Sequence, residues 1–371
     1  TSPTSMTIDP STGLMSWTPT GGGEYDVNVS VSDGNGGEDT QEYTIEVVTY
    51  VSGTISTDTT WTLSGSPYIV TGGVVVMEGV VLTIEPGVEV KFNTDTAVQV
   101  DGTLIARGTA DDKIIFTSCA EDWGFIYFSD SSVDASYDSD GNYIGGSILE
   151  NCVIEYAGGA DVDNNGAVRI YKAHPFINYT TIRNNLARGI CVWDISSTLK
   201  ITNNTISNNT AQYQYHGGGI YIYRSSGLDS SVIITNNIIK NNIARRRRGG
   251  IYNDSGAGYG LSFSVTITNN IINNNIAQDS GHGGGFYTSG GSVTIANNTI
   301  NNNNAQDHGG GFYIASSFVT ITNNIINNNI AQDSGGGFYI WGLVYNTIST
   351  IFNNSIIKNT AGNAPAFWFN S

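Results

Sequence analysis

Asp161-Val-Asp-Asn-Asn-Gly places Asp161, Asp163 and Asn165 at alternate positions just ahead of Gly166. Oxygen ligands alternating into a glycine turn are the first half of a Ca2+ loop. The acidic residue that would close the loop is missing, because Lys172 holds the twelfth position. Asp138-Ser-Asp-Gly-Asn, with Asp138, Asp140 and Asn142, is a shorter version, and Asp33-Gly-Asn-Gly-Gly another. Ca2+ is the cofactor these turns suggest, against a plain Asx-turn reading in which each carboxylate serves its own backbone. Basic groups are few: 15 Lys and Arg against 32 Asp and Glu. Arg169, Lys172, His174, Arg183 and Arg188 lie close enough in sequence to converge on an anionic sugar, or to be ordinary surface residues. The run Arg245, Arg246, Arg247, Arg248 reads as a solvated turn or as a basic patch for acidic columns of a neighbouring molecule. His216, His282 and His308 each precede a glycine run, with Asp279, Asp307 and Asp333 near the later ones, a setting for metal ligation or for turn filling. Cys119, Cys152 and Cys191 cannot pair off completely and match no metal-binding spacing.

These groups sit in an unusual background. The 371 residues carry a net charge of −17 with only 13% charged side chains, 46 Gly and 41 Asn, 34 of the Asn from Asn178 onward. Gly and Asn are poor helix formers, which excludes an ordinary helical enzyme. A hydrophobic content of 39% supports a core and argues against disorder. The acidic balance excludes nucleic acid and anionic membranes as natural partners. No apolar run reaches the ~18 residues of a membrane helix.

The elements that must position these residues are repeats. Ile201-Thr-Asn-Asn-Thr returns at Ile234, Ile267, Ile295, Ile321 and Ile351, and Gly219-Ile-Tyr alternates with it at Gly250, Gly285, Gly311 and Gly337. Each unit contains short alternating strands between Asn- and Gly-rich turns, and none can bury its apolar face alone. Stacking them gives a parallel β-helix, an all-β solenoid in which equivalent residues lie about 4.8 Å apart in columns. Val168, Ile190, Ile220, Ile251, Phe286, Phe312, Phe338 and Phe367 form one inward column, and Ile201, Ile234, Ile267, Ile295, Ile321 and Ile351 another. Asn pairs in equivalent turns are expected to hydrogen-bond up and down the stack. Alternation sends Tyr221, Tyr252, Tyr287, Tyr313, Tyr339 and Trp368 outward, with Tyr171, Trp193, Tyr223 and Trp341 on the next outward position. An exposed aromatic stripe of this kind fits a glycan or a second copy of the chain. Aromatics that merely stack within a sheet are the alternative.

Val74-Val-Val-Met-Glu-Gly-Val-Val-Leu-Thr-Ile-Glu-Pro-Gly-Val-Glu-Val-Lys-Phe and Val98-Gln-Val-Asp-Gly-Thr-Leu-Ile-Ala-Arg-Gly-Thr-Ala-Asp-Asp-Lys-Ile-Ile-Phe resemble the opening coils of secreted prokaryotic right-handed parallel β-helix proteins of the pectate-lyase-like superfold. Met6-Thr-Ile-Asp-Pro-Ser-Thr-Gly-Leu-Met-Ser-Trp and Tyr25-Asp-Val-Asn-Val-Ser-Val-Ser-Asp-Gly-Asn-Gly-Gly look like the second half of a bacterial or archaeal Ig-like surface repeat. The expected organisation is a partial Ig-like β-sandwich module at 1–49 and a β-helix at 50–371, with opening coils at 50–128 and Asn/Gly-rich coils at 129–371. Both termini read as cut from a longer polypeptide, or as completed by strands from a neighbouring subunit. Polygalacturonases of the superfold use motifs similar to Asn93-Thr-Asp, Asp111-Asp112 and Gly281-His-Gly, but here these lie far apart and the basic partner motif is absent. Outward Thr266, Thr268, Thr294, Thr320 and Thr322 are similar to the columns of ice-binding β-helices.

The reading that unites these features is an extracellular or cell-surface prokaryotic structural or adhesion protein, a stalk, layer or filament subunit. Its aromatic face would bind polysaccharide or the next subunit. Seven N-x-[ST] sites fit an exterior setting. The alternative is a lyase or hydrolase of an acidic polysaccharide, favoured by a groove in which Arg or Lys faces carboxylates across the tyrosine column. Ice binding is a remoter alternative.

Overall fold

The computed structural model describes residues 3–159, 166–212, 216–224, 230–245, 248–254, 263–315, 318–342 and 350–370. From Thr49 onward the described chain winds through parallel strands gathered in a 22-stranded, an 11-stranded and a five-stranded sheet, interrupted by one small antiparallel hairpin, Ser136–Tyr137 with Tyr143–Gly145. One coil shows the plan: Ile220–Tyr223, Ser230–Thr235, Ile238–Lys240 and Ile243–Ala244, after which Ile251–Asp254 pairs in register on Ile220–Tyr223. The largest sheet wraps two faces of the tube. Its bridge is the long strand Tyr68–Val76, which pairs with Val90–Phe92 at one end and Val98–Val100 at the other.

The inward columns expected from the repeats are formed. Val168, Ile190, Ile220, Ile251, Phe286, Phe312, Phe338 and Phe367 pair successively, and so do Ile201, Ile234, Ile267, Ile295, Ile321 and Ile351. All but the last member of each column are buried. Burial of each such side chain stabilises the tube by about 1.5–3 kcal/mol. The phenylalanines stack face to face, with ring centroids 4.6 Å apart for Phe286–Phe312 and 4.9 Å for Phe312–Phe338. Cys152 and Cys191 are buried strand residues, and Cys119 is exposed.

The asparagine pairs divide their labour. The first of each pair takes a left-handed backbone, as at Asn236, Asn269, Asn297 and Asn323 (φ 57–59°), a conformation that Asn tolerates better than most residues. The second joins a continuous column, buried except at its last member: Asn204, Asn237, Asn270, Asn298, Asn324, Asn354 along one corner, and Asn185, Asn209, Asn242, Asn275, Asn303, Asn329, Asn359 along the other. In each step the Nδ2 of one Asn donates to the Oδ1 of the next at 2.7–3.1 Å. That same Oδ1 also accepts the backbone N–H of the donating residue, as in Asn204 to Asn237 (2.9 Å). Nδ2 further donates to a carbonyl one coil back, for example Asn270 to Ile234 (2.9 Å).

Residues 3–47 contribute a ten-residue antiparallel hairpin, Gly23–Ser32 with Glu38–Val47, and the short pair Thr7–Ile8 with Met15–Ser16. Val27 is the one fully buried apolar side chain among their described residues. Four strands with so little core are an incomplete sandwich, which needs about seven.

The division of labour predicts unequal tolerance in one turn. Asn270→Ala strands the backbone N–H of Asn237 in the core and cuts the asparagine column, and should destabilise the chain by at least about 2 kcal/mol. Asn269→Gly, at φ 58°, should change stability by less than about 1 kcal/mol. Urea unfolding followed by tryptophan fluorescence distinguishes the two.

Candidate functional site

The outward tyrosine column is not the solvent-facing stripe that strand alternation predicts. Tyr252, Tyr287, Tyr313 and Tyr339 are 2–8% exposed and form a second small core outside the sheet, against which Tyr221 packs. The cover comes from Arg188 at the head of its strand and, further along, from the turns. Arg188 lies 4.2 Å over the Tyr221 ring, and Arg248 lies 4.5 and 3.8 Å over Tyr252 and Tyr287. His216, His282 and His308 pack on Tyr252, Tyr313 and Tyr339 at 5.2, 4.9 and 4.6 Å. Alternation decides only which side of the sheet a residue faces; the glycine turns decide whether the chain folds back over it. Gly283, at φ 67°, makes such a turn where any Cβ would strike the Phe286 carbonyl.

Arg248 therefore corrects the solvated-turn reading of the basic run, since its guanidinium is committed to the tyrosines. Arg245 is exposed, and Arg246 and Arg247 lie outside the described residues. Asp161, Asp163 and Asn165 also lie outside them. The Asp138 turn is described: its carboxylate accepts the Asp140 and Asn142 backbone N–H groups and the Asn142 side-chain amide at 2.8–3.0 Å. Those bonds, the Asn142 side chain first, hold Asp138 below the usual carboxylate range. Asp140 and Asn142 are exposed.

The aromatic face stays open in the earlier coils. Gln99, Tyr127 and Arg169 pair in register as one outward column, continued by Cys191 and then Tyr221. Tyr171, Trp193 and Tyr223 pair as the adjoining one. Here, where no turn among the described residues covers them, Gln99, Phe125, Tyr127, Arg169, Tyr171, Trp193 and Asp194 line a cleft of about 360 Å³. A second depression of about 470 Å³ shares Tyr127 and Tyr171 and adds Asp101, Ser129, Asp130 and Ser131. Tyr223, Trp341 and Trp368 are 38–49% exposed.

The cleft is polar and orderly. Arg169 is nearly buried, its guanidinium 3.6 Å over the Phe125 ring and its Nε donating to the Gly166 carbonyl. Gln99 Nε2 donates to both Asp101 oxygens at 3.0 Å, and the Ser129 hydroxyl donates to Oδ1 at 2.6 Å. Lys172 pairs with Asp130 at 3.5 Å and lies 5.2 Å from the Tyr171 ring. Desolvation first, then Tyr171, Asp101 and Asp130, raises the Tyr127 pKa, with Arg169 opposing. A phenol that keeps its proton, a guanidinium and carboxylates around aromatic rings suit a sugar chain that carries acid groups.

Of the expected basic cluster, Arg169 lines the cleft and Lys172 lies at its edge, against Asp130 and Tyr171. Arg188 is buried on Tyr221, its Nε donating to the His216 carbonyl at 2.7 Å. Arg183 pairs with Glu155 at 2.8 Å on another face. His174 is buried; its Nε2 accepts the Ser196 and Ser197 N–H groups, which leaves Nδ1 to donate to Asp134 at 2.8 Å. Sequence reasoning missed Gln99, Asp101, Phe125, Tyr127, Asp130 and Asp194. The signal available was register, since Val98-Gln-Val-Asp aligns on Ile126-Tyr-Phe-Ser.

A family model of a right handed beta helix region matches residues 114–261, and an Ig domain model matches residues 1–48. The chain is a right-handed parallel β-helix preceded by an Ig-like segment. Among curated proteins, none matches it. Crystal structures of the periplasmic alginate epimerase AlgG are similar over 85% of this chain and 84% of theirs. A point mutant of it shows 13% identity and a TM-score of 0.43, and a second structure 15% and 0.41. No helix among the described residues is long and apolar enough to cross a membrane.

The covered tyrosines make a pH prediction. Burial pushes Tyr221 up to about 12 and raises Tyr252, Tyr287 and Tyr313, with Arg188 or Arg248 opposing. A raised phenol pKa favours the protonated fold, so its contribution is full below pH ~10, the unfolded-chain value, and is lost as pH rises through the folded value. The urea midpoint should fall between pH ~10 and ~12. Tyr252→Phe combined with Tyr287→Phe should flatten that fall.

Proposed function

We propose that this chain is an exterior polysaccharide-binding β-helix that holds an acidic glycan in the open cleft around Tyr127 and Tyr171. The observation that carries the reading is the location of Arg169 in a cleft walled by Phe125, Tyr127, Tyr171 and Trp193, with Lys172 beside Tyr171 at its edge, on a face that no described turn covers. Aromatic rings supply stacking surfaces for sugar faces, Arg169 and Lys172 answer the acid groups, and Gln99, Asp101 and Ser129 are fixed hydrogen-bonding partners for hydroxyls. The solenoid, residues 50–371 in this reading, is the rigid rod that presents the cleft, and the Ig-like module at 1–49 joins it to a larger surface assembly. Self-association through Trp341 and Trp368, and completion of the Ig-like segment by a donated strand, belong to the same reading.

A second reading has its own support. Arg169 shares the cleft with Asp194, and Asp101 and Asp130 line the depression that adjoins it at Tyr127 and Tyr171, a combination of charges that a polysaccharide lyase or hydrolase could use. In elimination chemistry Arg169 would neutralise the uronate carboxylate, a neighbouring carboxylate would take the C5 proton, and Tyr127 would give its proton to the glycosidic oxygen as the C4–O bond breaks and the C4–C5 double bond forms.

Binding isotherms against polyuronates and neutral glucans test both readings. Trp193→Ala and Tyr171→Ala should each weaken polyuronate binding by roughly fivefold to tenfold, the worth of one stacking contact. Arg169→Met should remove the preference for acidic over neutral chains. If no polyuronate binds, the proposal fails. Unsaturated or reducing-end products that fall by about 100-fold or more in Tyr127→Phe, with binding retained, would establish the second reading. Bound but unchanged glycan would exclude it.

A further inference from the structure

Two consecutive coils bring His282, Asp307 and His308 together on the far stretch of the tyrosine face, well along the tube from the glycan cleft. One ligand atom from each, a ring nitrogen or a carboxylate oxygen, falls within 4.8 Å of the others. His282 Nδ1 lies 3.4 Å from Asp307 Oδ2, and His308 Nε2 lies 3.3 Å from Asp307 Oδ1. Ligands around a tetrahedral ion with bonds of about 2.05 Å are separated by roughly 3.3 Å, and each nitrogen already has one Asp307 oxygen at about that spacing, Oδ2 for His282 and Oδ1 for His308.

The surroundings add a feature that turn filling does not require. His308 Nδ1 faces Asp333 Oδ2 at 3.5 Å, while its Nε2 faces Asp307. A carboxylate on the far nitrogen is the arrangement that orients metal-bound histidines and raises their basicity. Asp333 is itself held, its Oδ1 accepting from Asn363 Nδ2 at 3.1 Å and from the Ser334 hydroxyl at 3.3 Å. The backbone also fixes the turns, since Asp307 N–H donates to the Gly281 carbonyl and Asp333 N–H to the Asp307 carbonyl, each at 3.0 Å.

The cluster comes from a local break in the repeat. Ala277-Gln-Asp-Ser-Gly-His is two residues longer between Asp and His than Ala305-Gln-Asp-His, so Asp279 is displaced outward and Asp307 falls beside both rings. The next coil carries Ser334 in place of a third histidine. Side-chain exposures of 22–28% leave a path for an ion while removing much of its competing water.

We propose that His282 Nδ1, His308 Nε2 and the Asp307 carboxylate form a binding site for a divalent transition-metal ion of the zinc class, oriented by Asp333. Two imidazoles and one carboxylate favour such ions over Ca2+, which takes oxygen ligands. Three protein ligands leave a fourth position for water or for a group on a partner. The histidine rings now stack in parallel, 7° apart with centroids at 5.2 Å. Ligation must turn them out of the stack so that both nitrogens point at one ion. The ion then clips two successive coils together.

Calorimetric titration of the purified chain with Zn2+ alone, at neutral pH, should show one equivalent bound at this site. Affinity should fall by at least about tenfold in Asp307→Asn, and about 10- to 100-fold in Asp333→Asn. His282→Phe keeps a ring on Tyr313 but removes the nitrogen, so it should lose binding while its metal-free melting curve stays close to that of the parent. His216→Phe, in the equivalent turn of a coil without this cluster, should bind as the parent does. Co2+ in place of Zn2+ should give visible ligand-field absorption that disappears in His282→Phe. No bound Zn2+, or Zn2+ bound alike by parent, Asp307→Asn and His282→Phe, overturns the proposal. The glycan isotherms report on the other cleft, so either reading can fail alone.

Discussion

The asparagine turns of the tube leave backbone donors and carbonyls that their own coil cannot satisfy, and the coil above or below must do so. Buried asparagine columns are the solution at two corners of the tube, because one amide both donates and accepts along the axis. Asn204 and Asn209 each accept and pass on hydrogen bonds in this way, so each coil is a template for the next. Much of the unusual composition follows. Charge is scarce because like charges stacked about 4.8 Å apart would repel. Glycine triplets persist because the next coil's backbone passes against them.

A structure so regular acquires chemistry where the regularity breaks. One outward column runs from Gln99 through Tyr127, Arg169 and Cys191 to the tyrosines, yet its two halves have opposite fates. Beyond Tyr221 the turns return over the sheet with Arg248 and the histidines and seal the rings into a second core. Before Arg188 no turn among the described residues covers the column, and the same sheet position becomes the wall of a cleft. The His282, Asp307 and His308 cluster arises from a further irregularity, a two-residue difference between adjacent turns. The cleft and the cluster share one face but not one origin.

The fold was largely legible in the sequence. The spacing of Ile-Thr-Asn-Asn and Gly-Phe-Tyr phrases determined the parallel stacking, both inward columns and the asparagine columns, because a repeat at constant register leaves one way to bury its apolar side. The exposure of the tyrosines was misread because alternation is a property of one strand, whereas cover is supplied by residues several positions away. Gln99, Asp101 and Tyr127 went unnoticed because the opening coils carry no repeated phrase to align them. The Arg245–Arg248 run drew attention by its charge, but Arg248 is spent on stacking.

The sequence by itself determined which residues share a column, since strand register is set by local period and by the burial of one face. Only the tertiary structure decided which outward residues meet solvent and which ionisable groups meet each other. Arg169 reaches Phe125 across 44 positions of chain, and His282 reaches Asp307 across 25. Such contacts depend on turn lengths and on the return path of the chain. Those are summed over whole coils, so no local window of the sequence contains them.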